Sequence, residues 1–224
     1  VAQSSVLQFT QLSLEDHSSK GIALDETTLT LSSFRAENLS GEVISGVASD
    51  LSGEQWTILS SANLSTTAIS LTQSNLDVDG LVAIDQGTLL DLSESELVSL
   101  ANLTLSEVGS FGRIDSTQTP LDGLYSVTIS NLDHTGNRSF AEGLSISGEF
   151  DVYISEAMVN VTGLSDYLLA DVATLRLENS SIESAGTAFA TSGSTKALVD
   201  FSTLTSHPVE AVISASDDSR IILF

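Results

Sequence analysis

Asn75, Asp77 and Asp79 offer side-chain oxygens at alternate positions, and Gly80 follows them. Calcium loops open with this spacing, because a hard cation collects oxygens and a glycine permits the sharp turn. Calcium is therefore the one cofactor that the residue types bring forward. Gln86 stands where such a loop carries its closing acid. The same alternation also suits a solvated strand, with Leu76 and Val78 inward and Asp77 and Asp79 outward.

A second constellation is Tyr153, Arg176 and Asp200, each the residue between two apolar neighbours in successive stretches of chain. At strand spacing Arg176 would stack on Tyr153 and pair with Asp200, forming a lateral face able to take a carbohydrate. An ordinary surface ion pair has the same pattern. Asp217 and Asp218, followed by Arg220, are an acid pair. Two-carboxylate hydrolysis needs its carboxyls about 5 to 10 Å apart in a cleft, so this pair needs partners from elsewhere in the fold. His17, His134 and His207 lie far apart without metal-ligand spacing. His134, beside Asp133, is expected in a solvated loop. There is no Gly-x-Ser-x-Gly elbow, and no catalytic group is assigned.

Six of the eight asparagines sit in Asn-x-Ser/Thr sequences: Asn38, Asn63, Asn102, Asn137, Asn160 and Asn179. These are candidate N-glycosylation acceptors if the chain is exported. The competing explanation is that Asn and Ser/Thr both favour tight corners and so fall together.

Thirty acids against seven bases give a formal net charge of −23. This charge disfavours nucleic acids and anionic membrane surfaces as partners, since both call for clustered Lys and Arg, and no nucleic-acid partner is expected. No apolar stretch approaches the ~18 to 20 residues of a membrane span. The chain has no cysteine, which removes disulfides, thiolate zinc sites and thiol catalysis. Apolar residues make up 41%, enough for a core.

The elements that must position these side chains follow from a soft repeat of roughly 22 to 25 residues. Each unit opens with two apolar residues flanking one outward residue: Leu7/Phe9, Leu29/Leu31, Trp56/Ile58, Leu103/Leu105, Val127/Ile129, Val152/Ile154, Leu175/Leu177, Val199/Phe201 and Ile221/Leu223. A further unit is expected near Leu81 to Ile84. A second short strand follows in several units, as in Gly21 to Leu24, Ala68 to Leu71, Gly143 to Ile146, Thr187 to Ala190 and Ala211 to Ser214. No unit carries enough apolar surface to fold alone, but stacked units bury one continuous core. Hairpin signals are rare. Asp79-Gly80 and Asp122-Gly123 read as coil corners, which argues against an antiparallel sandwich.

In periodicity and composition the chain resembles the right-handed parallel β-helix superfamily, shared by pectate-lyase-like enzymes, phage tailspikes and bacterial adhesin passenger domains. The resemblance covers nearly the whole chain and implies a secreted or cell-surface location. The expected fold is an all-β, right-handed parallel β-helix of about nine or ten coils. Residues 1–224 form one domain, a piece of a longer solenoid or one completed by another copy, about 45 to 50 Å long. The expected function is non-catalytic: a structural, adhesive or self-assembling module whose partners are its own ends or adjoining domains. The alternative is a pectate-lyase-like protein that binds or degrades polysaccharide. An ice-binding face would need an unbroken Thr ladder, which Tyr153 and Arg176 interrupt.

Overall fold

The computed structural model describes residues 5–16, 21–59, 67–120, 123–138, 140–206 and 211–224. These residues contain β-strands and no helix. Among the described residues every strand pairing is parallel, and strands that pair lie about one repeat apart in sequence. The chain is a parallel β-solenoid of about nine turns.

Each turn crosses three sheet faces. On the first face one inward column runs Leu7, Leu29, Leu51, Leu76, Val98, Val127, Val152, Leu175, Ala197 and Ile221, ten rungs in unbroken register. On the second face Leu12, Phe34, Trp56, Leu81, Leu103, Leu132 and Ala157 are stacked. The third face stacks Ile22, Ile44, Ile69, Leu90, Gly112, Leu144, Leu168, Phe189 and Ile213. Strand alternation sends every second side chain into this core. Burying each large apolar side chain contributes about 1.5 to 3 kcal/mol. At ~4.8 Å per rung the rod is roughly 45 Å long.

Corners are made by single residues in the left-handed region. Between the first and second faces Gln55, Gly80, Asn102, Asn131, Glu156, Asn179 and Phe201 have φ of 53°, 80°, 54°, 51°, 55°, 47° and 46°. Asp16, Asn38, Asp85 and Glu107 turn the second corner, and Glu26, Ala48, Gln73 and Glu94 the third. Asn and Gly adopt this conformation at little cost. Long strands such as Asp50–Leu59 and Leu97–Ser106 therefore bend through a corner without losing pairing above and below.

A buried hydroxyl commonly follows the corner residue. Ser49 Oγ donates to the Val47 carbonyl at 2.8 Å and accepts the Thr27 N–H at 3.1 Å. Ser74 Oγ donates to the Thr72 carbonyl and accepts the Ser49 N–H at 2.9 Å. Ser180 and Ser202 repeat the device at the first corner. These hydroxyls satisfy backbone groups that the bend would otherwise strand away from water.

Three expectations need correction. Trp56/Ile58, Leu103/Leu105 and Leu81 to Ile84 belong to the second face, not to the face that Leu29/Leu31 opens. On the first face the corresponding rung is Leu51/Gly53, where a Cβ on Gly53 would lie 2.1 Å from the Leu31 carbonyl oxygen and 2.5 Å from Trp56 Nε1. The missing side chain admits the indole, whose N–H donates to that carbonyl at 3.0 Å. Val199/Phe201 is also misplaced. Leu175 and Leu177 sit over Ala197 and Val199, and Phe201 turns the corner with 80% of its surface exposed. Ser202 fixes that register by accepting the Ser180 N–H. His134, expected in a solvated loop, is fully buried on the second face between Leu105 and Val159.

Candidate functional site

The first face brings Tyr153 and Arg176 into register on adjacent rungs, and the guanidinium carbon lies 5.9 Å from the ring centroid. The expected stacking is therefore present. Arg176 does not meet Asp200: the residue in register with it is Leu198, while Asp200 is paired with Glu178. The register set by Ser202 moves Asp200 one side chain further along the strand. Glu178 takes the role foreseen for Asp200, forming an ion pair with Arg176 and accepting the Tyr153 hydroxyl at 2.5 Å. The Tyr153 hydroxyl and then Arg176 hold the Glu178 carboxyl below the usual carboxylate range, and the same hydrogen bond raises the phenol. The trio is a closed surface network whose polar groups satisfy one another.

Asn75, Asp77 and Asp79 lie on the first face with Leu76 and Val78 buried between them. Asn75 works as a strut between rungs. Its amide donates to Asp50 Oδ1 at 2.9 Å and its side-chain oxygen accepts the Leu97 N–H at 3.0 Å. Asp79 Oδ1 accepts Nδ2 of Asn102 at 2.6 Å. Asp77 and Asp79 line a shallow depression of about 220 Å³ with Glu54 and Thr30. Among the described residues no group of three or more His, Asp or Glu side chains could hold a metal ion.

The described sequon asparagines are all exposed. Asn38, Asn102 and Asn179 are corner residues with positive φ. Asn38 donates to Asp16 Oδ1 at 3.1 Å, and Asn102 accepts Nδ2 of Asn131 at 2.6 Å while donating to Asp79. Asn160 points outward from the second face, paired with Thr135 and Glu183. The Asn137 N–H donates to Glu107 Oε2 at 3.4 Å. Asn63, His17, His207 and Asp122 lie outside the described residues. Asp217 turns the chain with φ 57° and accepts the Gly193 N–H and the Ser216 hydroxyl.

Sequence reasoning passed over two further groups. On the third face Arg113 lies 3.4 Å from both Asp91 and Asp115. Burial raises the Asp115 carboxyl above its ordinary range, outweighing Arg113, and the charges of Asp91 and Glu94 push the same way. Acids of neighbouring turns are brought together only by the register, so no local motif announces them. The second group is Ser116, Thr117 and Gln118, gathered by Glu94. Its carboxylate accepts from Thr117 N–H at 3.1 Å, Thr117 Oγ1 at 2.5 Å, Ser116 Oγ at 3.0 Å and Gln118 N–H at 3.2 Å. The hydrogen bond from the Thr117 hydroxyl leads in lowering its pKa. Because Leu103/Leu105 lies on the second face, the 22 residues from Leu105 to Val127 pass for an ordinary repeat, and Pro120 was the one local signal of this segment.

No family model, curated protein or solved structure matches this chain. What it shows by itself is the class, a parallel β-solenoid in which several outward polar side chains bind the turns above and below.

Proposed function

We propose that the protein is a non-catalytic, exported or cell-surface solenoid that acts as a structural, adhesive or self-assembling module, in the manner of adhesin passenger-like β-helices. One observation carries the reading. Outward polar groups at the corners and on the first face, such as Asn75, Asn102, Glu178 and Arg176, are engaged by neighbouring rungs or by each other. Such a surface adds axial stiffness and solubility. The acid excess and the absence of cysteine suit an extracellular rod, and glycans on Asn38, Asn102, Asn137, Asn160 or Asn179 belong to this reading.

The partner such a rod takes most readily is another coil, from a second copy or from adjoining coils of the same chain. The end rungs Ser5–Phe9 and Arg220–Leu223 each pair on one side only among the described residues. They expose Val6, Leu7 and Phe9 at one end and Ile222, Leu223 and Phe224 at the other. Open strand edges with apolar side chains are templates for further pairing.

The alternative, polysaccharide hydrolysis, draws support from the raised Asp115 carboxyl beside Asp91. Incubation with neutral and acidic polysaccharides, followed by reducing-end and unsaturated-product assays, separates the readings. The proposal predicts no turnover. Turnover abolished by Asp115→Asn in a folded protein would overturn it.

A further inference from the structure

One turn of the solenoid is longer than the rest. On the first face Thr28 to Asp50 and Asp50 to Asn75 are steps of 22 and 25 residues, whereas Val98 to Val127 is 29. The added length lies in 116–124, between Ser110–Asp115 and the strand that opens at Tyr125. The corresponding links at Ser192 to Thr195 and Ser216 to Ser219 hold four residues each. An insertion into one repeat of a solenoid projects from one face, commonly the binding face. This one is held by the four groups that donate to the Glu94 carboxylate.

The described residues Gln118, Thr119, Pro120 and Leu124 of the inserted segment stand beside the first face and line an open groove of about 680 Å³. Its apolar lining is Leu97, Pro120, Leu124 and Tyr125, and Glu96 and Gln118 supply polar groups. Leu97 and Leu124 keep 45% and 41% of their surface open to water. The Tyr125 ring is fixed from behind by Phe150, with centroids 5.8 Å apart. The volume falls within the range of small-ligand sites. The walls carry an exposed carboxylate and no base, and the whole chain bears −23, so an anion is rejected. A cation on an apolar stem matches each part: the stem lies along Leu97 and Leu124, and the head faces the Tyr125 ring and Glu96. Glu94 is already saturated, which leaves Glu96 as the counter-charge.

We infer that this groove is a docking site for a basic side chain, lysine or arginine, presented by an extended peptide of a partner protein. The site is independent of whether the rod is structural or enzymatic.

Fluorescence polarisation with the 1–224 chain tests it, using labelled octapeptides in which one Arg or Lys is flanked by Leu and Gly, at physiological salt. The Arg and Lys peptides bind, and a Gln replacement weakens binding about tenfold or more. Diffuse attraction to an acidic protein is separated by two variants that each remove one exposed negative charge. Glu96→Gln weakens binding about tenfold, whereas Asp25→Asn, outward on the third face and several rungs away near the N-terminal end, leaves it within about twofold. Leu97→Ser weakens it without changing the thermal midpoint. No binding, equal loss in Glu96→Gln and Asp25→Asn, or equal affinity for the Gln peptide overturns the inference. So does a neutral oligosaccharide that perturbs the Tyr125 resonances in the peptide's place.

Discussion

The hydroxyl of Tyr167 lies 3.0 Å from Nδ1 of His134, and the two rings meet edge to face with centroids 5.6 Å apart inside the stack. Nε2 lies 3.2 Å from the Val108 carbonyl oxygen, which can only accept. The proton therefore sits on Nε2, and Tyr167 donates to Nδ1. Gly143 makes the room, since a Cβ there would stand 2.4 Å from the tyrosine ring. Both side chains are neutral and satisfied, a polar pair that locks the second face to the third.

Burial pushes the His134 imidazole down to about 4, against the smaller opposing effects of the Val108 carbonyl and Asp133. A folded pKa below the unfolded value of about 6.5 stabilises the native state fully above that value. The contribution falls as pH drops from about 6.5 and is gone below the folded pKa, a total of about 3 kcal/mol. Urea unfolding between pH 7.5 and 4 should show this slope. The double variant His134→Leu with Tyr167→Phe should lack it, and an unchanged slope would show that carboxylates account for it.

Removing the Tyr167 hydroxyl alone should cost about 1 to 3 kcal/mol, because Nδ1 is left buried without a donor. The check is the denaturation midpoint of Tyr167→Phe at pH 7.5, where His134 stays neutral.

The hydroxyl that follows a corner should matter more than its exposed neighbours. Ser49→Ala strands the Thr27 N–H and should destabilise by about 1 to 3 kcal/mol. Ser49→Thr, which keeps the oxygen, should recover most of the loss. Equal midpoints for wild type and Ser49→Ala would remove the hydroxyl ladder from the account.

At Asn102 the corner conformation and the ladder can be separated. Asn102→Ala should lose about 1 to 2 kcal/mol from left-handed strain and the two broken hydrogen bonds. Asn102→Gly should regain the conformational part only. Asn160→Ala, at an outward strand position, should leave the midpoint within about 0.5 kcal/mol. A sequon that served only as a glycan acceptor would give no such contrast in unglycosylated protein.

Glu94→Ala should free the inserted segment, seen as faster amide exchange at Thr117 and Gln118 with the core unchanged. Because its hydrogen bonds lower the folded pKa, Glu94 contributes fully above the ordinary glutamate range. That contribution is lost as pH falls through the lowered value. Protection of Thr117 in the wild type should therefore persist to pH 4.5 and disappear in more acid solution.

Much of this architecture was legible because inward columns survive as pairs such as Leu29/Leu31 and Val152/Ile154. The second short strands Gly21 to Leu24, Ala68 to Leu71 and Gly143 to Ile146 all fall on the third face. What hid the true rungs was substitution inside the columns. Gly53 and Gly112 occupy inward positions without a side chain, since a Cβ at Gly112 would meet the Leu90 carbonyl oxygen at 2.1 Å. Phe201 looked inward only because its spacing from Val199 repeats that of Leu175 and Leu177. Pairings between turns depend on the register of loops of unequal length. The stacking of Arg176 on Tyr153 could therefore be foreseen, while the exchange of Asp200 for Glu178 and the meeting of Asp91 with Asp115 could not. Neither could the burial of His134, since its neighbours Asp133 and Thr135 are exposed and only strand phase sends it inward.

The most direct measurement of the central proposal is electron microscopy of the native material beside the purified 1–224 chain. If further coils stack on the open end rungs, native particles continue as straight rods or filaments well beyond roughly 45 Å, with the cross-section of one solenoid. A native population of isolated rods about 45 Å long, with bare ends at every concentration tested, would contradict it.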